Sequence, residues 1–218
     1  MNNELSEILA GNIRYKEVYY SFLEFHKEKY GETPEEFAEF ERNYAMDFLN
    51  AIKTNRTERE VLIKGERLTI RKACIDDADF MQSVELDEDN SPWVANWSLG
   101  WRIAKFGDKD FLQCVIERED GTPIGIIIFR DMMHVKERMQ LKRIAVINKG
   151  KGYGKEALYL AQKLAFEVFG TKYLYLGTKE ENLRAQSIYK VTGFIPDMPD
   201  PCTQFHISDK DYLNMKQR

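Results

Sequence analysis

Three glycines at alternate positions, Gly150, Gly152 and Gly154, stand between an apolar run and an amphipathic one, with Lys149, Lys151 and Lys155 around them and Tyr153 inside. Glycine lets backbone N–H groups approach a ligand without side-chain obstruction. The helix start that follows adds unpaired donors and a partial positive charge. The lysines add full charges, and together these build a pyrophosphate cradle. A P-loop is excluded, because no register supplies Gly-x-x-x-x-Gly-Lys-Ser/Thr. Gly152-Tyr-Gly-Lys-Glu-Ala157 does satisfy the dinucleotide pattern Gly-x-Gly-x-x-Ala, with Glu180 after a second strand. A dinucleotide fold opens with that unit, however, and here an antiparallel hairpin precedes it.

Other reaction centres are poorly represented. The three histidines have no metal-ligand spacing, so a zinc site is not expected. Cys74, Cys114 and Cys202 are far apart and in no Cys-x-x-Cys pair, which reads as free thiols in a reducing compartment. The first residues lack the basic and apolar blocks of a signal peptide, which favours the cytoplasm. No apolar run is long enough to cross a bilayer. The net charge of −4 argues against broad nucleic-acid binding. That acidity sits mostly in residues 1–60, with 13 acidic and 8 basic side chains.

The elements that must position the cradle follow from periodicity. Residues 4–30 read as a helix stopped by Gly31. Thr33-Pro-Glu-Glu36 reads as a capping box for a second helix carrying Phe37, Phe40, Tyr44, Phe48 and Ile52. Residues 1–60 are therefore expected to form a helical hairpin extension that docks on the main domain (61–218) or on another subunit. A strand at Glu66–Ala73, a helix from Asp76 or Asp77 to Leu86, and a short helix from Ser91-Pro92-Trp93 follow. Strands Phe111–Glu117 and Pro123–Arg130 form a hairpin, then comes strand Leu141–Ile147. A helix spans Glu156–Phe169 with Val168 inward, stopped by Gly170. Strand Tyr173–Thr178, helix Leu183–Thr192 and a last strand Tyr212–Met215 complete the order. This is a mixed α/β sheet with helices on its faces.

The cradle after its strand, together with Asn182-Leu-Arg-Ala-Gln-Ser-Ile-Tyr189-Lys-Val-Thr-Gly-Phe194, resembles the GNAT superfamily of acetyl-CoA-dependent N-acyltransferases over Glu66–Ile195. Arg143-Ile-Ala-Val with Gly-Lys-Gly-Tyr-Gly-Lys-Glu-Ala-Leu158 looks most like its ribosomal-protein and spermidine acetyltransferase branch. The resemblance implies a mixed, mostly antiparallel sheet, acetyl-CoA as co-substrate, and direct transfer to a primary amine on a protein N-terminus, a polyamine or another small amine. It implies that Ile144, Ala145, Val146 and Ile147 face the pantetheine arm. The loop amides of Gly150, Lys151, Gly152, Tyr153, Gly154 and Lys155 would hold the pyrophosphate, with Asn182 near the pantetheine. Tyr189 would be the proton donor to the departing thiolate.

Plainer readings stand beside these. Tyr189 is also well placed for a core residue, Asn182 for a helix N-cap, and Lys151 for a solvated surface charge. Trp93, Trp97 and Trp101 recur every four residues and, if helical, make one stripe that serves as core or as the wall of an acceptor pocket. Glu85, Asp87, Glu88 and Asp89 read as a solvated loop or as an attractor of cationic amines. Gln140 stands where relatives often carry Glu, and glutamine cannot take a proton. Asp131, His134 and Glu137 are the nearest alternatives in sequence. Pro196, Pro199 and Pro201 are expected to interrupt the last strand pair. The alternatives to an active acetyltransferase are a catalytically inactive CoA-binding module and a nucleotide-binding oxidoreductase. A homodimer is the expected outcome if the N-terminal stripe stays uncovered.

Overall fold

A computed structural model describes residues 3–54, 59–197 and 202–217. Strands β1 (Val61–Lys64), β2 (Leu68–Lys72), β3 (Phe111–Arg118), β4 (Pro123–Arg130), β5 (Met139–Val146), β6 (Tyr173–Lys179), β7 (Ile195–Pro196) and β8 (Cys202–Ser208) form one sheet in the order β1-β2-β3-β4-β5-β6-β8-β7. Within it, β5 with β6 is the parallel pair and the other neighbours are antiparallel. The near-continuous apolar run of β4 needs cover on both faces. Ile124, Ile127 and Phe129 pack on one side with Leu158, Ala161 and Leu164, while Ile126 and Ile128 pack on the other with Met81 and Val84.

Those covering residues belong to α6 (Tyr153–Lys163, continuing as a π-helical turn, Leu164–Phe169) and α4 (Ala78–Leu86). Gly170 stops the α6 run in the left-handed region at φ 66°. The wider π turn swings Val168 outward to 54% exposure, against the inward position that regular α periodicity predicts.

The N-terminal segment has three helices: α1 (Asn3–Gly11), α2 (Ile13–Tyr30) and α3 (Pro34–Thr54). The break that periodicity alone does not reveal is made by Asn12, whose side chain accepts from Tyr15 N at 3.0 Å. Gly31 ends α2 at φ 56°, and the Thr33–Glu36 capping box opens α3. Helices α2 and α3 run antiparallel, with Tyr19 stacked on Tyr44 and His26 on Phe40. Their aromatic stripe is buried within the chain, against Ile103 and Ala104 of α5 (Leu99–Gly107). Gly100 and Gly107 allow that approach. A Cβ on Gly107 would lie 2.0 Å from the carbonyl oxygen of Asp47, and one on Gly100 would lie 2.6 Å from Phe22 Cβ.

Three further expectations are corrected. Ser91-Pro92-Trp93 starts no helix. The segment after Asp87 is a series of turns, and α5 begins only after Ser98, whose hydroxyl accepts from Trp101 N at 3.3 Å. Tyr212–Met215 is not a strand but part of α8 (Asp209–Lys216), because Ser208 and Asp211 form a reciprocal capping box. The last strand is β8, where Phe205 and Ile207 alternate into the core. It pairs with β7 through Ile195 and Pro196, so Pro196 does not interrupt the strand pair; Pro199 and Pro201 lie outside the described residues. Helix α7 (Leu183–Val191) completes the set. No described helix is long and apolar enough to cross a membrane.

Candidate active site

Between β5 and β6 the ladder holds for two residue pairs, Met139 with Leu174 and Gln140 with Tyr175, and then ends. The register of β5 against β4 steps from Phe129–Leu141 to Ile128–Arg143, so Lys142 is an extra, bulged residue at the point of divergence. A bulge bends its strand. The two strands splay, and a cleft of about 1000 Å³ opens from Gln140 to the glycine loop.

Opening the ladder frees backbone donors. Ile147 N donates to Ile124 O at 2.8 Å, and peptide groups alternate sides along a strand. The amides of Ala145 and Ile147 therefore turn to β4, and those of Ile144 and Val146 turn into the cleft. Asn90 supports this phase, because its Nδ2 reaches Val146 O at 3.2 Å. Of the four residues expected to face a ligand arm, Ile144, Ala145 and Val146 line the cleft and Ile147 does not. Its amide is committed to β4.

At the far end, Gly150 (φ 88°) and Gly152 (φ 80°) turn the chain into α6. Among the described residues, no acceptor receives the amides of Gly152, Tyr153, Gly154 or Lys155. A Cβ on Gly150 would meet nothing within 4 Å. Unpartnered donors at a helix N-terminus, with open space above them, fit a diphosphate. Lys149, Gly150, Gly152, Tyr153, Gly154 and Lys155 line the cleft. Lys151 does not; its carbonyl accepts from Arg67 Nη1 at 3.1 Å, as expected for a surface position.

Across the cleft, Asn182 caps α7 by accepting from Ala185 N at 3.1 Å and also lines the wall. Tyr189 is 9% exposed, packs against Phe194 and Phe205, and reaches the cleft from α7. Burial pushes its phenol up to about 12. It is thus both a core residue and a protonated hydroxyl on the cleft wall.

The tryptophan stripe is dispersed. Trp93 sits in a turn and Trp97 in the irregular stretch before α5, both on the cleft wall. Trp101 lies on α5 and packs on Phe22 of the N-terminal layer. The acidic run is dispersed too. Asp87 lies off the cleft wall and accepts from Asp89 N at 3.1 Å, while Asp89 lines the cleft. Glu85 is neither solvated nor available to an amine. It is 0% exposed, its Oε1 lies 2.6 Å from Arg102 Nη2 and accepts from Arg143 Nη1, and its Oε2 accepts from Trp97 N at 2.9 Å. Helical phase puts Glu85 beside Met81 and Val84 on the buried side of α4, a signal that the charge run obscures.

Of the nearby bases, Asp131 is buried and held by the Tyr175 hydroxyl and Arg138, Glu137 pairs with Lys172, and His134 is exposed. None lines the cleft, whereas Gln140 does. Cys114 is buried, which pushes its thiol up, and Cys74 is raised first by burial and then by Asp77. Neither is on the cleft wall. The described residues contain no metal-ligand cluster.

A family profile described as "Acetyltransferase (GNAT) domain" matches residues 67–195. The chain belongs to the GNAT acetyltransferases. It is an acyl-CoA N-acyltransferase, with acetyl-CoA as co-substrate. Among solved structures, it is similar to a spermidine N-acetyltransferase from Vibrio cholerae in complex with CoA and spermine. Identity there is 17% and TM-score 0.60, covering 69% of this chain and 100% of that one. A dodecameric spermidine N-acetyltransferase structure from Vibrio cholerae gives 17% identity and TM-score 0.57, covering 69% and 99%. No curated protein sequence matches. The GNAT match leaves the N-terminal helices outside it.

Proposed function

We propose that this GNAT enzyme acetylates a primary amine directly, on a polyamine, a protein N-terminus or another small amine. The observation that carries this is one cleft holding unpartnered amides at its loop end, free strand amides in its middle and a protonated phenol opposite. When bound, acetyl-CoA supplies a thioester: the amine nitrogen bonds its carbonyl carbon, the C–S bond breaks, one proton leaves nitrogen and one reaches sulfur. The amides of Gly152, Tyr153, Gly154 and Lys155 bind the diphosphate, and Lys149 adds charge. The amides of Ile144 and Val146 bind the pantetheine arm and the carbonyl oxygen, where negative charge develops. Asn182 positions the arm from the other wall.

Tyr189 Oη presents its proton toward the sulfur. A phenol near 12 transfers fully only with difficulty to a thiolate whose acid lies near ~8.5. Its contribution is therefore a hydrogen bond that stabilises the departing charge. Gln140 orients an amine or a water but takes no proton. The carboxylates on the cleft wall are Asp89 and Glu181, both exposed, and we assign the proton acceptor to one of them.

The test is calorimetry with acetyl-CoA, set beside release of CoA thiol with a panel of amines. Binding with acceptor-dependent release is expected. Binding without release across the panel would favour a CoA-binding module instead. The proposal extends to self-association, since one structural neighbour is dodecameric, and sedimentation of the full chain reads it.

A further inference from the structure

The cleft wall beside the free strand amides is cationic. Arg143 follows the bulged Lys142 on β5, and both line the cleft. The Arg143 side chain is 5% exposed. Its Nη1 is held by Glu85, while its Nε and Nη2 donate to nothing among the described residues. Those two nitrogens are not among the buried atoms sealed from solvent without a partner, and Arg143 lines the cleft. Glu85 cannot neutralise the cluster, because one carboxylate serves two guanidiniums, Arg102 and Arg143. Trp97 packs over both, 5.6 Å from the Arg102 carbon and 4.8 Å from the Arg143 carbon, and its own amide takes the second Glu85 oxygen.

The result is a buried, preorganised guanidinium with spare donors and surplus positive charge. Lys142 adds a second cation from the bulge, and burial together with Arg130 and Arg143 pulls its ammonium down from the ordinary lysine range. Burial likewise lowers Arg143; Glu85 opposes this and Arg102 adds to it. An incoming anion would relieve both groups, and a second cation would worsen them. The glycine loop, where the co-substrate diphosphate is proposed to bind, follows further along the chain at the other end of the cleft.

We propose that the acceptor amine carries a carboxylate beside it, as an α-amino acid does, and that Arg143, assisted by Lys142, receives that carboxylate. This rests on the acetyltransferase reading and narrows its acceptor. The amine of such a substrate is held next to the Ile144 amide by a fork whose geometry Glu85, Arg102 and Trp97 fix. A polyamine, with several cations and no anion, is disfavoured at the same place.

The experiment uses the full chain with acetyl-CoA and matched pairs: each amino acid and the amine left when its carboxylate is removed, with spermidine as a third arm. The expected preference for the carboxylate-bearing member in kcat/KM is on the order of 10- to 100-fold, the value of a hydrogen bond to a charged group. Calorimetric titration of the CoA complex with the same pairs should give the same order without turnover. Arg143→Gln should abolish the preference, and the exposed variant Lys142→Gln should reduce it several-fold with unchanged thermal unfolding. Equal or better use of the decarboxylated amines or of spermidine overturns the proposal and leaves the acetyltransferase reading standing. Failure to bind acetyl-CoA overturns that reading instead, and with it this one.

Discussion

Replacing Glu85 by Gln should destabilise the fold severely, although the local sequence, Glu-Leu-Asp-Glu-Asp, looks like a solvated loop. The carboxylate is fully buried and is the shared counterion of Arg102, 0% exposed, and Arg143, 7% exposed. Gln keeps the shape and can still accept from Trp97 N. It leaves the Arg102 and Arg143 guanidiniums close together without their shared counterion. Removing one partner of a buried pair costs about 3–5 kcal/mol, because the remaining charge has no compensation. For a chain of this size each kcal/mol moves the midpoint by roughly 2–4 °C, so Tm should fall by roughly 6–20 °C. Differential scanning calorimetry of the full chain measures this directly. A second substitution, Arg102→Met, should restore part of the loss, since it removes one of the stranded charges. That non-additivity is the signature of direct coupling. A fall of less than about 2 °C, or additive effects of the two changes, would refute Glu85 as the counterion.

Tyr189→Phe should leave Tm nearly unchanged, since its hydroxyl makes no hydrogen bond among the described residues, while thiol release falls on the order of 100-fold or more. Acetyl-CoA affinity by calorimetry should hold. The phenol is raised in the fold, so whatever stability its protonated form contributes is complete below the ordinary ~10 and fades as pH rises toward about 12. Urea unfolding across that window, against the Phe variant, reads the difference. Gly152→Ala puts a side chain at φ 80°, a strain of roughly 1–2 kcal/mol. Acetyl-CoA affinity should weaken about tenfold, because a loop that shifts to relieve this strain turns one amide away from the anion. Gly107→Ala must push α5 off the Asp47 carbonyl and should cost about 1–3 kcal/mol in Tm measurements.

The sheet and the loop were legible because their signals are local. The β3–β4 turn, the alternating glycines, the Thr33 capping box and the stops at Gly31 and Gly170 each depend on a few neighbouring residues. What escaped depends on partners far along the chain. Glu85 reads as a surface charge until Arg102 and Arg143 are brought to it from α5 and β5. Arg143 itself stands in an apolar strand, which is a cue, but its spare nitrogens are visible only once the bulge at Lys142 and the end of the β5–β6 ladder are known. The tryptophan spacing invited a helix where the chain instead makes turns closed on the Asn90 carbonyl, which accepts from Trp93 N and Val94 N. The Ser208 capping box was a local signal that a weak alternation, Tyr212 to Met215, concealed.

Helix α5 has two loyalties. One side carries the glycines on which the N-terminal helices rest, and the other carries Arg102, which steadies Glu85 and through it the cleft wall. Trimming the first fifty residues is therefore expected to weaken the catalyst rather than merely shorten it. A chain shortened to begin near Leu62 would leave an aromatic-seated helix without its seat, and the disturbance would travel two side chains before reaching the strand that lines the pocket. Anyone transplanting this domain, or choosing where to attach a tag, has to treat the leading helices and the catalytic sheet as one mechanical piece.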